Sequence, residues 1–177
     1  MIDIKKMDSL IMLSITKVFF NSIYLLIYFK YNKLFNCVMS INKFSITSEY
    51  HNINLVNKKI KAFCLEEHVP INVIDAVEIC LTEALNNVIK HSYEGKSGNK
   101  IDLIVGISNT KIDIDIMETG LPRTNFDKPK LEFDPNDINS APEGGMGLYI
   151  IDSLMNSISY TSRNGLNVTS FSKNLHD

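Results

Sequence analysis

The chain has 177 residues, 45% hydrophobic and 21% charged, enough apolar side chain for one domain of ordinary size and too much for a disordered chain. The net charge of −2 leaves no cationic excess to neutralise phosphates, which argues against a basic nucleic-acid-binding domain. Cys37, Cys64 and Cys80 are scattered and form no C-x-x-C pair, so they suit neither a disulfide framework nor a zinc site and fit a reducing compartment as small buried apolar side chains.

The first 38 residues differ from the rest. Residues 10–29 read LIMLSITKVFFNSIYLLIYF, a mostly apolar stretch long enough to span a bilayer. Lys17 and Asn21 lie near its middle, and a central lysine costs roughly 2.5–3.5 kcal/mol on insertion. Lysines flank both ends, so orientation is not specified. No small-residue cleavage site follows, which is unlike a signal peptide. Two readings stand: a membrane anchor, or a reading frame extended upstream of a true start at Met39. The expected organisation is an apolar extension over 1–38 and one domain over 39–177.

From Met39 the pattern is that of a mixed α/β chain. Residues 43–48 alternate as a strand. Ile53, Val56, Ile60, Phe63 and Cys64 recur at helical spacing over 52–67. Pro70 suits the first turn of a second helix over 71–93, with Ile74, Val77, Leu81, Ala84, Leu85 and Val88 as its core stripe. Gly95, Ser97, Gly98 and Asn99 make a turn. Residues 100–108 and 111–117 alternate and form an antiparallel hairpin, with Ile112, Ile114 and Ile116 inward. Residues 120–145 hold four prolines and no apolar period. A helix follows over 146–155, then strands over 157–161 and 168–173 that turn at Asn164-Gly165.

Three constellations can carry chemistry. Glu83, Asn87 and His91 are spaced by four and share one helix stripe, beside a stripe of Thr82, Asn86 and Lys90. Two successive asparagines are poor helix formers. An asparagine amide oxygen suits Mg²⁺ held mainly by substrate phosphates and water, and a carboxylate one turn away can take a proton from an attacking hydroxyl. A solvated helix face explains the same residues. The second constellation is Glu143-Gly144-Gly145-Met146-Gly147-Leu148 at a helix entry, where free N–H groups and the helix dipole favour phosphate; a flexible turn is the plain alternative. The third is Glu118-Thr119-Gly120 at a strand exit. There a carboxylate can meet an exocyclic amino group while the glycine lets a flat ring approach; an ordinary acidic strand end is the alternative.

In combination, TEALNNVIKHSY, the M-E-T-G strand exit and PEGGMGLYIIDSLMNSISY resemble the GHKL ATPases, and more closely the anti-sigma factor serine/threonine kinases of bacterial partner-switching systems. The resemblance covers about residues 45–175. It implies the Bergerat ATP-binding fold: an α+β two-layer sandwich, its sheet mixed but mostly antiparallel, with helices on one face. It implies ATP and Mg²⁺ as cofactors, Asn87 as the magnesium ligand and Glu83 as the general base. His91 would lie near the nucleotide. Glu118, Gly120 and Thr169 would face the adenine. Gly144, Gly145, Met146, Gly147 and Leu148 would meet the phosphates, below a lid over 124–143. The family usually has aspartate where this chain has Glu118, and the added methylene shifts the carboxylate by roughly 1.5 Å.

The implied function is a cytoplasmic kinase that phosphorylates a small STAS-type anti-sigma factor antagonist and sequesters a sigma factor, acting as a homodimer that does not touch nucleic acid. A membrane-anchored sensor histidine kinase fragment is the main rival. His51, His68 and His176 lack the acidic residue and proline that follow its phosphoacceptor histidine. A nucleotide-sensing module without kinase activity is a third reading.

Overall fold

The computed structural model describes residues 40–123 and 146–176, within a compact unit spanning Met39–Asp177. Strand β1 (Ser40–Thr47) leads into helix α1 (Tyr50–Glu66), which buries Ile53, Val56, Ile60 and Cys64. The helix ends in a Schellman closure: His68 takes a left-handed φ of 58°, its N–H reaches Leu65 O, and Val69 N–H reaches Cys64 O at 2.9 Å. Pro70 is the N-cap of helix α2 (Ile71–Asn87), one position before the first-turn place expected of it.

The single helix expected over 71–93 is corrected here. The α-helix ends at Asn87, and Val88–Ser92 form a π-helical turn in which Tyr93 N–H reaches back to Val88 O at 3.0 Å. Tertiary bonds set this widening: Tyr93 Oη donates to Lys100 O at 2.7 Å and accepts Thr119 N–H at 3.1 Å, which draws the helix end onto two strand ends.

Strands β2 (Lys100–Ile107) and β3 (Lys111–Glu118) form the expected hairpin. Helix α3 (Met146–Leu154) precedes the hairpin of β4 (Ser157–Arg163) and β5 (Leu166–Asn174). Asn164 and Gly165 both have positive φ, 53° and 75°, the demand of a two-residue type I′ turn. The sheet order is β1-β2-β3-β5-β4, and among the described residues all four pairings are antiparallel, so no parallel pair makes the sheet mixed.

Alternate residues of the central strands, Ile101, Leu103, Val105, Ile112, Ile114 and Ile116, join the α1 and α2 apolar stripes in one core. This is the two-layer sandwich with helices over one sheet face. Within it, the β3–β5 register sets Ile116 opposite Thr169 and Glu118 opposite Asn167, which brings two distant segments to one end of the sheet.

Candidate functional site

Helix α2 carries both a buried face and a polar one. Glu83 and Asn87 are half-buried on the polar stripe, one turn apart. Helix α3 begins against them. A Cβ added at Gly147 would lie 2.7 Å from Glu83 Oε2 and 3.1 Å from the Asn87 amide nitrogen. The missing side chain is what lets the first turn of α3, with its free N–H groups, approach a carboxylate and an amide. Met146 is exposed and Leu148 half-buried on the same turn. Gly144, Gly145 and the expected lid over 124–143 lie outside the described residues.

Thr82, on the adjacent stripe, is structural: its hydroxyl donates to Glu78 O at 2.8 Å and accepts from Asn57 Nδ2 at 2.8 Å, tying α1 to α2. His91 sits in the π-turn rather than continuing the Glu83–Asn87 stripe of a regular helix. Desolvation, then the positive charges of Lys90 and Arg123, hold the exposed imidazole below the ordinary histidine range.

At the other end of the site, Glu118 is 4% exposed. Its Oε2 accepts the Gly120 N–H, and its Oε1 accepts Asn167 Nδ2 at 2.8 Å. Asn167 Nδ2 also donates to Gly120 O at 3.0 Å. The longer glutamate side chain is thus folded back and held, and its reach is used within the protein. Asn167 is missing from the residues singled out in the sequence; the signal that finds it is its cross-strand pairing with Glu118. Thr169, 8% exposed, points to the same sheet face two residues further along β5.

Gly120 answers a steric demand. A Cβ there would lie 2.3 Å from Ser92 O, and Leu121 N–H donates to that same oxygen at 2.8 Å. The β3 exit is therefore pressed against the end of the π-turn. Arg123 follows, its N–H donating to Tyr160 Oη at 2.9 Å; burial lowers its guanidinium from the usual range while Tyr160 and Glu118 oppose that. The core cysteines take no part: burial pushes the Cys64 thiol up to about 11 and Cys80 to about 12.

Among the described residues no group of three or more His, Cys, Asp or Glu side chains is placed to hold a metal by itself. A lone amide oxygen and carboxylate beside a helix N-terminus suit Mg²⁺ that brings most of its ligands as phosphate and water.

A family model for the histidine kinase-like ATPase domain matches residues 46–173. The chain belongs to the histidine kinase-like ATPase family. Its similar proteins include the serine-protein kinase RsbW of Bacillus mycoides (strain KBAB4), 30% identical over 99 residues, or 54% of this chain and 61% of the relative. RsbW of Bacillus cereus (strain ATCC 10987 / NRS 248) is similar to the same extent, 30% over 99 residues with 54% and 61% covered. The chain thus spans about three fifths of the length of these relatives. The crystal structure of the RsbU and RsbW domains of Rv1364c from Mycobacterium tuberculosis superposes with a TM-score of 0.55 at 11% identity, covering 77% of this chain and 32% of that one. At that identity it shows the fold.

The two close-packed glycines should respond differently to alanine. At Gly120 the obstacle is backbone, so Gly120→Ala is expected to destabilise the fold by about 1–3 kcal/mol, read by urea denaturation. At Gly147 the nearest obstacle is the far end of the Glu83 side chain. Gly147→Ala should keep its unfolding midpoint and lose about tenfold in Mg-ATP affinity by calorimetry.

Proposed function

We propose that this chain is an ATP-dependent serine/threonine protein kinase that phosphorylates a small STAS-type anti-sigma factor antagonist and, with ATP bound, sequesters a sigma factor. The observation that supports this is the approach of Gly147 to Glu83 and Asn87, where a helix N-terminus, an amide and a carboxylate lie close together. Similarity to the RsbW serine-protein kinases supports it. The ATPase unit is residues 39–177, and the reading implies a cytoplasmic protein; among the described residues no helix is long and apolar enough to cross a membrane.

Asn87 would hold Mg²⁺, which when bound supplies positive charge against the triphosphate. The α3 N-terminus would bind phosphate oxygens through its N–H groups. Glu118 and Thr169 would face the base, with Asn167 holding the Glu118 carboxylate in place. Glu83 would accept the proton of a serine hydroxyl as its oxygen attacks the γ-phosphorus; the bond to the β–γ bridging oxygen breaks and ADP leaves.

Two variants separate binding from chemistry. Asn87→Ala should weaken Mg-ATP binding by about tenfold or more in calorimetry. Glu83→Gln keeps the shape but cannot take a proton, so it should bind Mg-ATP normally and lose about 10²–10⁴-fold in phosphoryl transfer to a partner serine. Normal turnover in that variant would leave Glu83 a structural residue.

A further inference from the structure

Helix α2 extends the site stripe toward its own N-terminus. Asp75, Ile79, Glu83 and Asn87 recur at intervals of four, so they line one side of the helix. The C-terminal half of that line faces α3 at Gly147. The N-terminal half is open. A groove of about 440 Å³ runs along it, lined by Asp75, Glu78, Ile79, Thr82 and Glu83. Ile79 is 48% exposed on its floor, and Ile71 is 59% exposed one further repeat away. Glu83 belongs both to this groove and to the contact with Gly147.

We propose that this groove seats the acceptor segment of the protein substrate, and that the segment is cationic: a Lys or Arg pairs with Glu78 and Asp75, an apolar side chain covers Ile79, and the serine hydroxyl falls at Glu83. This rests on the kinase reading of Glu83. The dimensions agree. Asp75 to Glu83 is eight residues of helix, a rise of about 12 Å, which an extended chain covers in about four residues. The hydroxyl must come within roughly 2.6–3.2 Å of the Glu83 carboxylate, so the chain that bears it has to pass over the groove end that Glu83 forms.

Charge selects the occupant. Glu78 and Asp75 face Lys61 on α1, whose Nζ lies 3.0 Å from Glu78 Oε2 and 3.9 Å from Asp75 Oδ1; no such ion pair reaches Glu83 among the described residues. Both acidic partners remain substantially exposed, 42% and 60% at their side chains, so an arriving cation can reach them and compete with Lys61. An acidic segment would meet three carboxylates and is disfavoured.

The test uses the full chain and two fluorescein-labelled peptides, Gly-Lys-Ile-Ser-Leu-Lys-Gly and Gly-Glu-Ile-Ser-Leu-Glu-Gly, read by anisotropy at low salt without nucleotide. The cationic peptide should bind about tenfold tighter or more than the acidic one, and the preference should fade with salt. Asp75→Lys with Glu78→Lys should abolish it. Lys61→Ala removes the competitor and should tighten the cationic peptide by about twofold or more, a gain that misfolding cannot mimic. Equal binding of the two peptides, or a preference untouched by the Lys pair, overturns the proposal. Mg-ATP calorimetry on the same variants should be unchanged. Failure of ATP binding in the parent chain would instead count against the kinase reading, since the peptide comparison does not depend on it.

Discussion

Everything at the site depends on helix α2 serving two neighbours at once. Val73, Ile74, Val77, Leu81 and Leu85 fix one side of it in the core at near-zero exposure. With that side fixed, the helical period determines where Asp75, Ile79, Glu83 and Asn87 point. The polar stripe cannot be re-aimed without rotating core side chains out of close packing, at a cost of several kcal/mol. A rigid helix buried on one side is a good mount for a carboxylate and an amide that must hold their separation.

The Glu118 end of the site has a different support. Glu118 owes its position to sheet register, since pairing with Asn167 delivers the capping amide, and a slip of β5 by one residue would turn Asn167 to the opposite face. Gly120 then joins the strand exit to the π-turn through Ser92 O. The two ends are therefore linked through the backbone: the turn that follows Asn87 is the surface on which the Glu118–Gly120 corner rests. A widened turn at such a junction fits the general tendency of π-turns to occur at functional positions.

Most elements were readable because their periods are strong. The β2–β3 hairpin alternates cleanly, and Asn164-Gly165 carries its own turn conformation. The starts of β1, α1 and β5 lie two or three residues before the expected ones, because end residues are set by neighbours rather than by period, while the other starts coincide. The π-turn was not readable, since Val88–Ser92 have an ordinary helical pattern and the widening comes from the distant partners of Tyr93. Asn167 was hidden for a related reason: a polar residue near a strand start signals nothing until register places Glu118 opposite it. Glu83, Asn87 and Gly147 were readable as residue types; their mutual approach appears only in the packing of α3 on α2.

Electrostatics joins the groove to the N-terminus of α3. Asp75, Glu78 and Glu83 lie within about two turns, and a triphosphate brought to α3 adds negative charge near the last of them. Lys61 offsets part of this at the far end of the groove, not at Glu83. On the proposed reading, charge around Glu83 would be compensated from two directions, by a metal ion arriving with the nucleotide and by a cation arriving with the acceptor segment. Neither is supplied by a fixed side chain of the groove itself. Such a site is least unfavourable electrostatically when both reactants are present, which makes occupancy of one favour occupancy of the other through Coulomb terms alone. A permanently paired Glu83 would lose that coupling, and it would also lose the free lone pair with which a carboxylate takes a proton.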